Sequence, residues 1–186
     1  MKKSILISTS IILLLLTSCT AILFKTSQPK DGANLKEFPA KICGKYAHVE
    51  KDSETIEIKS NYIEYITTKK NLNDLSSNSK MYISDSLQLK QLKDYYIVSI
   101  KDKETGAWMV TLLKLNNAYL EIYYIDFDDK EAKATAKKLK KIIAVKEFKK
   151  ENNEVKYYLI DPSKAELEMM IDKGFFKKAE GVKKIN

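Results

Sequence analysis

Lysine side chains provide most of the binding chemistry that this sequence could offer. The 186 residues contain 33 lysines and no arginine. Residues 130–150 alone hold nine lysines and two glutamates, a net side-chain charge of +7. A cluster of this kind attracts phosphate, carboxylate or sulfate groups. The absence of arginine excludes arginine fingers and bidentate guanidinium clamps on such groups.

The lysine-rich window also has the periodicity of an amphipathic helix. Its apolar residues recur at helical spacing, at Ala132, Ala136, Leu139 and Ile143. This stripe predicts a helix from Asp129 to about Ile143. Four lysines lie away from the stripe and form a candidate anion-binding face: Lys133, Lys137, Lys140 and Lys141. They could be an ordinary solvated face, a surface that docks on anionic lipid headgroups, or a binding surface for an acidic glycan or protein.

The other reactive residue types form no catalytic or metal-binding pattern. Cys43 and His48 are five residues apart, so on a strand they would point to opposite faces and could not act as a pair. The single histidine excludes metal sites that need two imidazoles. Three carboxylates in residues 126–129 lack the glycine and distal glutamate of a calcium loop, so we interpret them as a strand end and a helix cap. We therefore predict no catalytic residues, no metal and no cofactor.

The N-terminus has the pattern of a secretory signal. Lys2 and Lys3 precede a mainly apolar stretch from Ser4 to Leu16. That stretch is shorter than the roughly 20 residues of a membrane-spanning helix. Apolar residues continue beyond Cys19, however, so a spanning anchor from Ile5 to Phe24 stays open as an alternative.

Residues 16–19 resemble the lipobox of bacterial lipoproteins. Leu16 occupies the −3 position, Thr17 and Ser18 are small, and Cys19 occupies the +1 position. The resemblance implies that signal peptidase II cleaves between Ser18 and Cys19, after a diacylglycerol is attached to the Cys19 sulfur; the new amino group is often acylated as well. Residues 1–18 would then be the signal peptide. The mature protein would be anchored through this lipid outside the cytoplasm, on the outer membrane where the organism has one, and away from nucleic acid.

Two segments follow the predicted cleavage site. Residues 19–39 predict a lipidated N-terminus and a flexible tether, because turn-forming and polar residues follow one another there without periodicity. Residues 40–186 are enough for one self-sufficient core and predict a single domain. If Cys19 is acylated, Cys43 has no partner within the chain. It is then either a buried free thiol, which its strand-like surroundings favour, or half of an intermolecular bridge.

The order of the predicted elements indicates an α+β fold. Three strands at residues 95–101, 107–114 and 119–125 predict an antiparallel meander, with Tyr96 and Trp108 on one buried face. A helix, a strand over residues 155–160 and a second helix follow. The second helix begins either at Pro162 or with a capping box of Ser163 and Glu166. We predict an antiparallel meander sheet, open or barrel-like, followed by a helix-strand-helix part.

These features predict a lipid-anchored cell-envelope protein that acts as a non-enzymatic binding or interaction module. In general texture the mature chain is similar to small uncharacterised envelope lipoproteins. The expected partners are the membrane itself, through the lipid and its anionic headgroups, an acidic glycan or an envelope protein. Two alternatives stay open: an envelope hydrolase that uses two of the 25 acidic residues, and a structural or assembly lipoprotein.

Overall fold

The structure, a computed structural model, describes the chain in five stretches: residues 20–48, 54–67, 78–125, 129–179 and 181–185. The predicted signal peptide and the lipobox residues Leu16, Thr17, Ser18 and Cys19 lie outside the described residues. So do the carboxylates at positions 126 and 128.

The described residues form thirteen strands, two α-helices and one 3₁₀ turn at Ala40–Ile42. The strands in chain order are β1 (Ala21–Phe24), β2 (Gly44–His48), β3 (Glu54–Ile58), β4 (Tyr62–Thr67), β5 (Asn78–Tyr82), β6 (Leu87–Leu92), β7 (Tyr95–Lys101), β8 (Trp108–Asn116), β9 (Tyr119–Tyr124), β10 (Val145–Lys149), β11 (Val155–Ile160), β12 (Lys177–Lys178) and β13 (Val182–Lys184). The helices are α1 (Asp129–Leu139) and α2 (Lys164–Asp172). The predicted α+β class is confirmed.

The strands join in one mixed sheet that does not close on itself. Its main path runs β10-β11-β1-β8-β9-β13-β2-β3-β4-β5, while β7 joins β8 to β6 and β12 joins the side of β9. The pairing is antiparallel except between β1 and β11, which run parallel. The predicted antiparallel meander of β7, β8 and β9 is confirmed. The barrel-like alternative is wrong, because the path ends at β10 and β5 instead of closing.

The meander is buried on both faces. Trp108 and Leu112 face a core shared with α1 and α2, whereas Tyr96 and Leu113 face a second core on the other side of the sheet. The prediction that Tyr96 and Trp108 share a face is wrong, because the register pairs Tyr96 with Leu113. Side chains alternate along a strand, so a shift of one residue exchanges the two faces.

The predicted tether is a folded part of the domain. All four residues of β1 pair with β11, from Ala21 with Tyr157 to Phe24 with Ile160. Ile22 and Phe24 are fully buried. Farther along, Gln28 and Phe38 are also buried, and Leu35 bridges to Leu89. The described residues 20–39 therefore differ from the expected flexible tether, and residues 21–24 form a strand and not the end of a spanning helix. Their side chains are buried because β1 pairs with β11 and β8, which are distant in the sequence.

A buried lysine holds the loop that follows β1. Lys90 is 5% exposed, and its ammonium donates hydrogen bonds to the carbonyl oxygens of Ser27 at 3.2 Å and Pro29 at 3.0 Å. The backbone N–H of Gln28 donates to the Ser99 hydroxyl at 3.0 Å. Burial disfavours the charged form and lowers the pKa of Lys90, although Asp31 acts in the opposite direction.

Lys90→Met is expected to remove a pH-dependent part of the stability. Because the folded pKa of Lys90 lies below its unfolded value of 10.5, the unfolded chain binds more protons between the two values. The wild-type free energy of unfolding therefore gains a contribution as the pH rises through this window, and the variant lacks it. Denaturant titrations of both proteins at pH 7 and pH 10 measure the difference, which should move in favour of the wild type. A difference that is independent of pH would contradict the burial of Lys90.

Candidate anion-binding site

Helix α1 turns its lysines outward because its small apolar residues are buried. Ala132, Ala136 and Leu139 are at most 1% exposed and pack in the core that contains β1 and β8. Lys133 and Lys137 lie on the exposed side. The helix ends at Leu139, earlier than predicted, and the chain turns back to form β10 at the edge of the sheet.

A groove of about 220 Å³ separates α1 from β10 and β11. Its lining residues are Lys133, Ala136, Lys137, Lys140, Glu147 and Tyr158. The first four come from α1 and the residue that follows it, Glu147 comes from β10 and Tyr158 from β11. We call this feature the cationic groove.

Glu147 lies among several of the lysines of the cationic groove. The Lys140 ammonium donates to Glu147 Oε1 at 2.6 Å, and this bond lowers the pKa of the Glu147 carboxyl. The positive charges of Lys149 and Lys133 act in the same direction. Burial raises the pKa of the Tyr158 hydroxyl, which is 4% exposed. The carboxylate is therefore ionised and the phenol neutral at pH 7.

The cationic groove retains positive charge that its own carboxylate does not neutralise. Lys133, Lys137 and Lys140 oppose the single charge of Glu147, which leaves a net charge of +2 among the lining residues. Lys149 does not line the groove, but its positive charge also acts on Glu147. Within the described part of the chain, neither Lys133 nor Lys137 forms an ion pair. Ammonium groups of this kind, with a phenol beside them, can bind a phosphate, sulfate or carboxylate group.

Three of the four predicted lysines meet in the cationic groove. Lys133, Lys137 and Lys140 line it, whereas Lys141 is exposed in the turn after α1 and does not. Sequence reasoning missed Glu147 and Tyr158. Glu147 follows Lys140 by seven residues, but only the reversal of the chain between α1 and β10 brings the two charges together.

Two larger cavities among the described residues contain charged groups of which several already have partners. One, of about 400 Å³, lies beside Asp161 and Glu166. Asp161 accepts hydrogen bonds from Lys30 and Thr26, and Glu166 caps α2 through Ser163. The other, of about 370 Å³, includes Lys80, Lys101 and Lys103. There Lys80 pairs with Glu64 at 3.1 Å, and the Lys101 ammonium lies over the Trp108 ring.

The remaining candidate residues do not build a second site. Cys43 is a free, half-buried thiol that donates to the carbonyl oxygen of Phe38 at 3.5 Å, and burial raises its pKa. The side chain of His48 lies outside the described residues. Across the described stretches, no three His, Cys, Asp or Glu side chains gather as a metal ion requires.

Neither α1 nor α2, the two helices in the described residues, has the length and hydropathy to cross a membrane. Comparison with protein-family models, with curated proteins and with solved structures finds no match for this chain.

Proposed function

We propose that this protein is a lipid-anchored cell-envelope protein that binds an anionic group in the cationic groove and catalyses no reaction. The observation that carries the binding role is the net charge of +2 among the residues that line a groove built from three separate elements, with Lys149 nearby. The residues from Cys19 onward, outside the 130–150 window, hold 22 lysines and 23 acidic residues, a net of −1. The positive excess is therefore local, as expected of a binding surface.

The lipobox and the start of the described fold support the anchoring. Cleavage between Ser18 and Cys19 would remove none of the described residues, because the first of them is Thr20. Thr20 is 9% exposed, and its hydroxyl donates to the carbonyl oxygen of Val155 at 3.2 Å. A lipidated Cys19 would therefore be followed at once by the folded domain.

The alternative of a carboxylate-based hydrolase has less support. A general acid needs a raised carboxyl pKa. The described carboxyl groups with a shifted pKa are all lowered instead, each first by a hydrogen bond: Glu57, Asp94, Asp102, Glu121 and Glu147.

The protein could instead be an assembly component that pairs with another chain through an edge of its sheet. One of the two ends of the main sheet path is poorly suited to such pairing. Strand β10 forms that edge and carries Lys146, Glu147 and Lys149, all exposed. Charged side chains on an edge strand oppose pairing with another chain.

The anchoring is tested by the intact mass of the protein extracted from its native membrane. We expect a species that lacks residues 1–18 and is heavier by the mass of diacylglycerol, with or without a further acyl chain. Cys19→Ala should abolish the added lipid, because the thioether has no sulfur to form on, whereas Cys43→Ala should keep it. A wild-type protein that retains residues 1–18 without added lipid would refute the anchoring.

A further inference from the structure

We infer that the cationic groove binds the phosphate groups of anionic lipids in the same membrane leaflet that holds the Cys19 lipid. The inference rests on the proposed anchoring and names the partner of the proposed site. The ligand of the groove is then a lipid headgroup, and the experiment below distinguishes it from a soluble acidic glycan or free phosphate.

The chain between the lipidated Cys19 and the first strand is very short. One residue spans at most about 3.6 Å, and Thr20 is the only residue between Cys19 and β1. The headgroup region of one leaflet is about 5–7 Å thick. Because the chain has no spacer, the end of the domain that carries Thr20 must touch the headgroups.

The cationic groove lies close to the end of the domain that carries Thr20. The Thr20 hydroxyl bonds to Val155, and Val155 pairs with Lys149 across the β10–β11 hairpin. Lys149 is the last residue of β10, and its charge acts on Glu147 together with that of Lys133. Glu147 and Tyr158, which line the groove, therefore lie only two and three residues along their strands from the anchored end.

The positive charges that can attract anionic headgroups are those of the cationic groove. The turn after Lys149 carries Lys150, Glu151 and Glu154, a net charge of −1, so it does not itself attract anionic headgroups. The attraction must come from the cationic groove, which requires the domain to lie on its β10 edge. Each lysine close to an anionic bilayer strengthens binding about fivefold. Because the lipid anchor holds the protein at the membrane, the effective concentration of headgroups near the groove is high, and weak individual contacts are sufficient for binding.

The test uses the lipidated protein reconstituted in vesicles and a membrane-impermeant amine reagent. Reaction rates of individual lysines are measured by mass spectrometry in vesicles of phosphatidylcholine alone and in vesicles that also contain about 30% phosphatidylglycerol. We expect Lys133, Lys137, Lys140 and Lys149 to react about fivefold more slowly in the anionic vesicles. Lys36, Lys41 and Lys183, which are exposed and outside the groove, should react equally in both.

Matched variants show whether the groove itself is responsible. Lys133→Gln with Lys137→Gln and Lys140→Gln should abolish the protection of Lys149. Lys36→Gln with Lys41→Gln and Lys183→Gln removes the same charge and should preserve it. Unchanged hydrogen exchange in β7 and β8 establishes that both variants are folded.

Three results would overturn the inference. Equal reaction of the groove lysines in both vesicle types would show that no headgroup charge is recognised. Protection of all lysines alike would show a general surface effect. Protection that appears in neutral vesicles only after soluble polyuronate or inorganic phosphate is added would assign the groove to a soluble ligand. Each of these is distinct from failure of the anchoring, which appears as a lipid-free mass.

Discussion

Phe24→Ala is expected to lower the free energy of unfolding by about 3–5 kcal/mol. The Phe24 side chain is fully buried, and its ring stacks on Phe176 with 6.3 Å between the ring centroids. Its backbone lies between Ile160 of β11 and Trp108 of β8. Truncation would leave a cavity at the point where β1 joins the two parts of the sheet. Urea denaturation followed by Trp108 fluorescence measures the change.

Tyr119→Ala provides the matched control for this prediction. Tyr119 is 43% exposed, so its truncation should cost no more than about 1 kcal/mol. A flexible tether over residues 20–39 would make Phe24→Ala as mild as Tyr119→Ala. Equal effects of the two substitutions would therefore contradict the burial of β1 in the core and support a flexible tether.

Glu121→Gln is expected to lower the free energy of unfolding by about 2–3 kcal/mol at pH 7. Glu121 is 8% exposed, and its carboxylate accepts hydrogen bonds from Lys178 at 2.5 Å, Tyr123 at 2.8 Å and Asn116 at 3.3 Å. The amide of glutamine has no charge and only one acceptor oxygen, so it cannot accept all three hydrogen bonds and loses the charge attraction to Lys178. Because Lys178 is about half exposed, water replaces part of what it loses.

The loss in Glu121→Gln should depend on pH in one direction. The hydrogen bond from Lys178 lowers the pKa of Glu121 below its ordinary value of 4.5, so the ionised form stabilises the folded chain. This contribution is complete above pH 4.5 and is lost as the pH falls through the folded pKa. Denaturation at pH 7, 5 and 3 should show the difference between wild type and variant shrinking below pH 4.5.

Glu104→Gln serves as the control for the pH series. Glu104 is 81% exposed and lies 3.8 Å from Lys156, an ion pair that is worth little in water. We expect a change of at most about 0.5 kcal/mol at every pH. A Glu121→Gln effect that stays constant from pH 7 to pH 3 would show that the carboxylate charge contributes nothing.

Elements with strong local signals could be predicted from the sequence. The alternating residues of β7, β8 and β9 specify a meander, and Ser163 with Glu166 specifies the start of α2 through a capping box that the structure contains. Both signals lie within a few residues of the element that they define. For the same reason the lysine face of α1 could be read from its helical spacing.

Elements stabilised by distant partners could not be predicted. Strand β1 has only four residues, and its apolar side chains continue the apolar signal stretch in the sequence. It becomes a strand because β11, more than 130 residues later, pairs with it. Strand β10 was missed for a different reason: its partner β11 is the next element, but β10 is rich in lysine and its sequence carries no strand pattern.

The amino-acid sequence alone establishes the local concentration of positive charge, the α+β order of elements and the helical spacing of Lys133, Lys137 and Lys140. These properties depend on composition and on neighbours along the chain. The tertiary structure alone places Glu147 and Tyr158 beside those lysines and Thr20 with β1 against β11. Both results depend on contacts between residues far apart in sequence, because packing of α1 against the sheet and the parallel pairing of β1 with β11 arise only when the whole chain is folded.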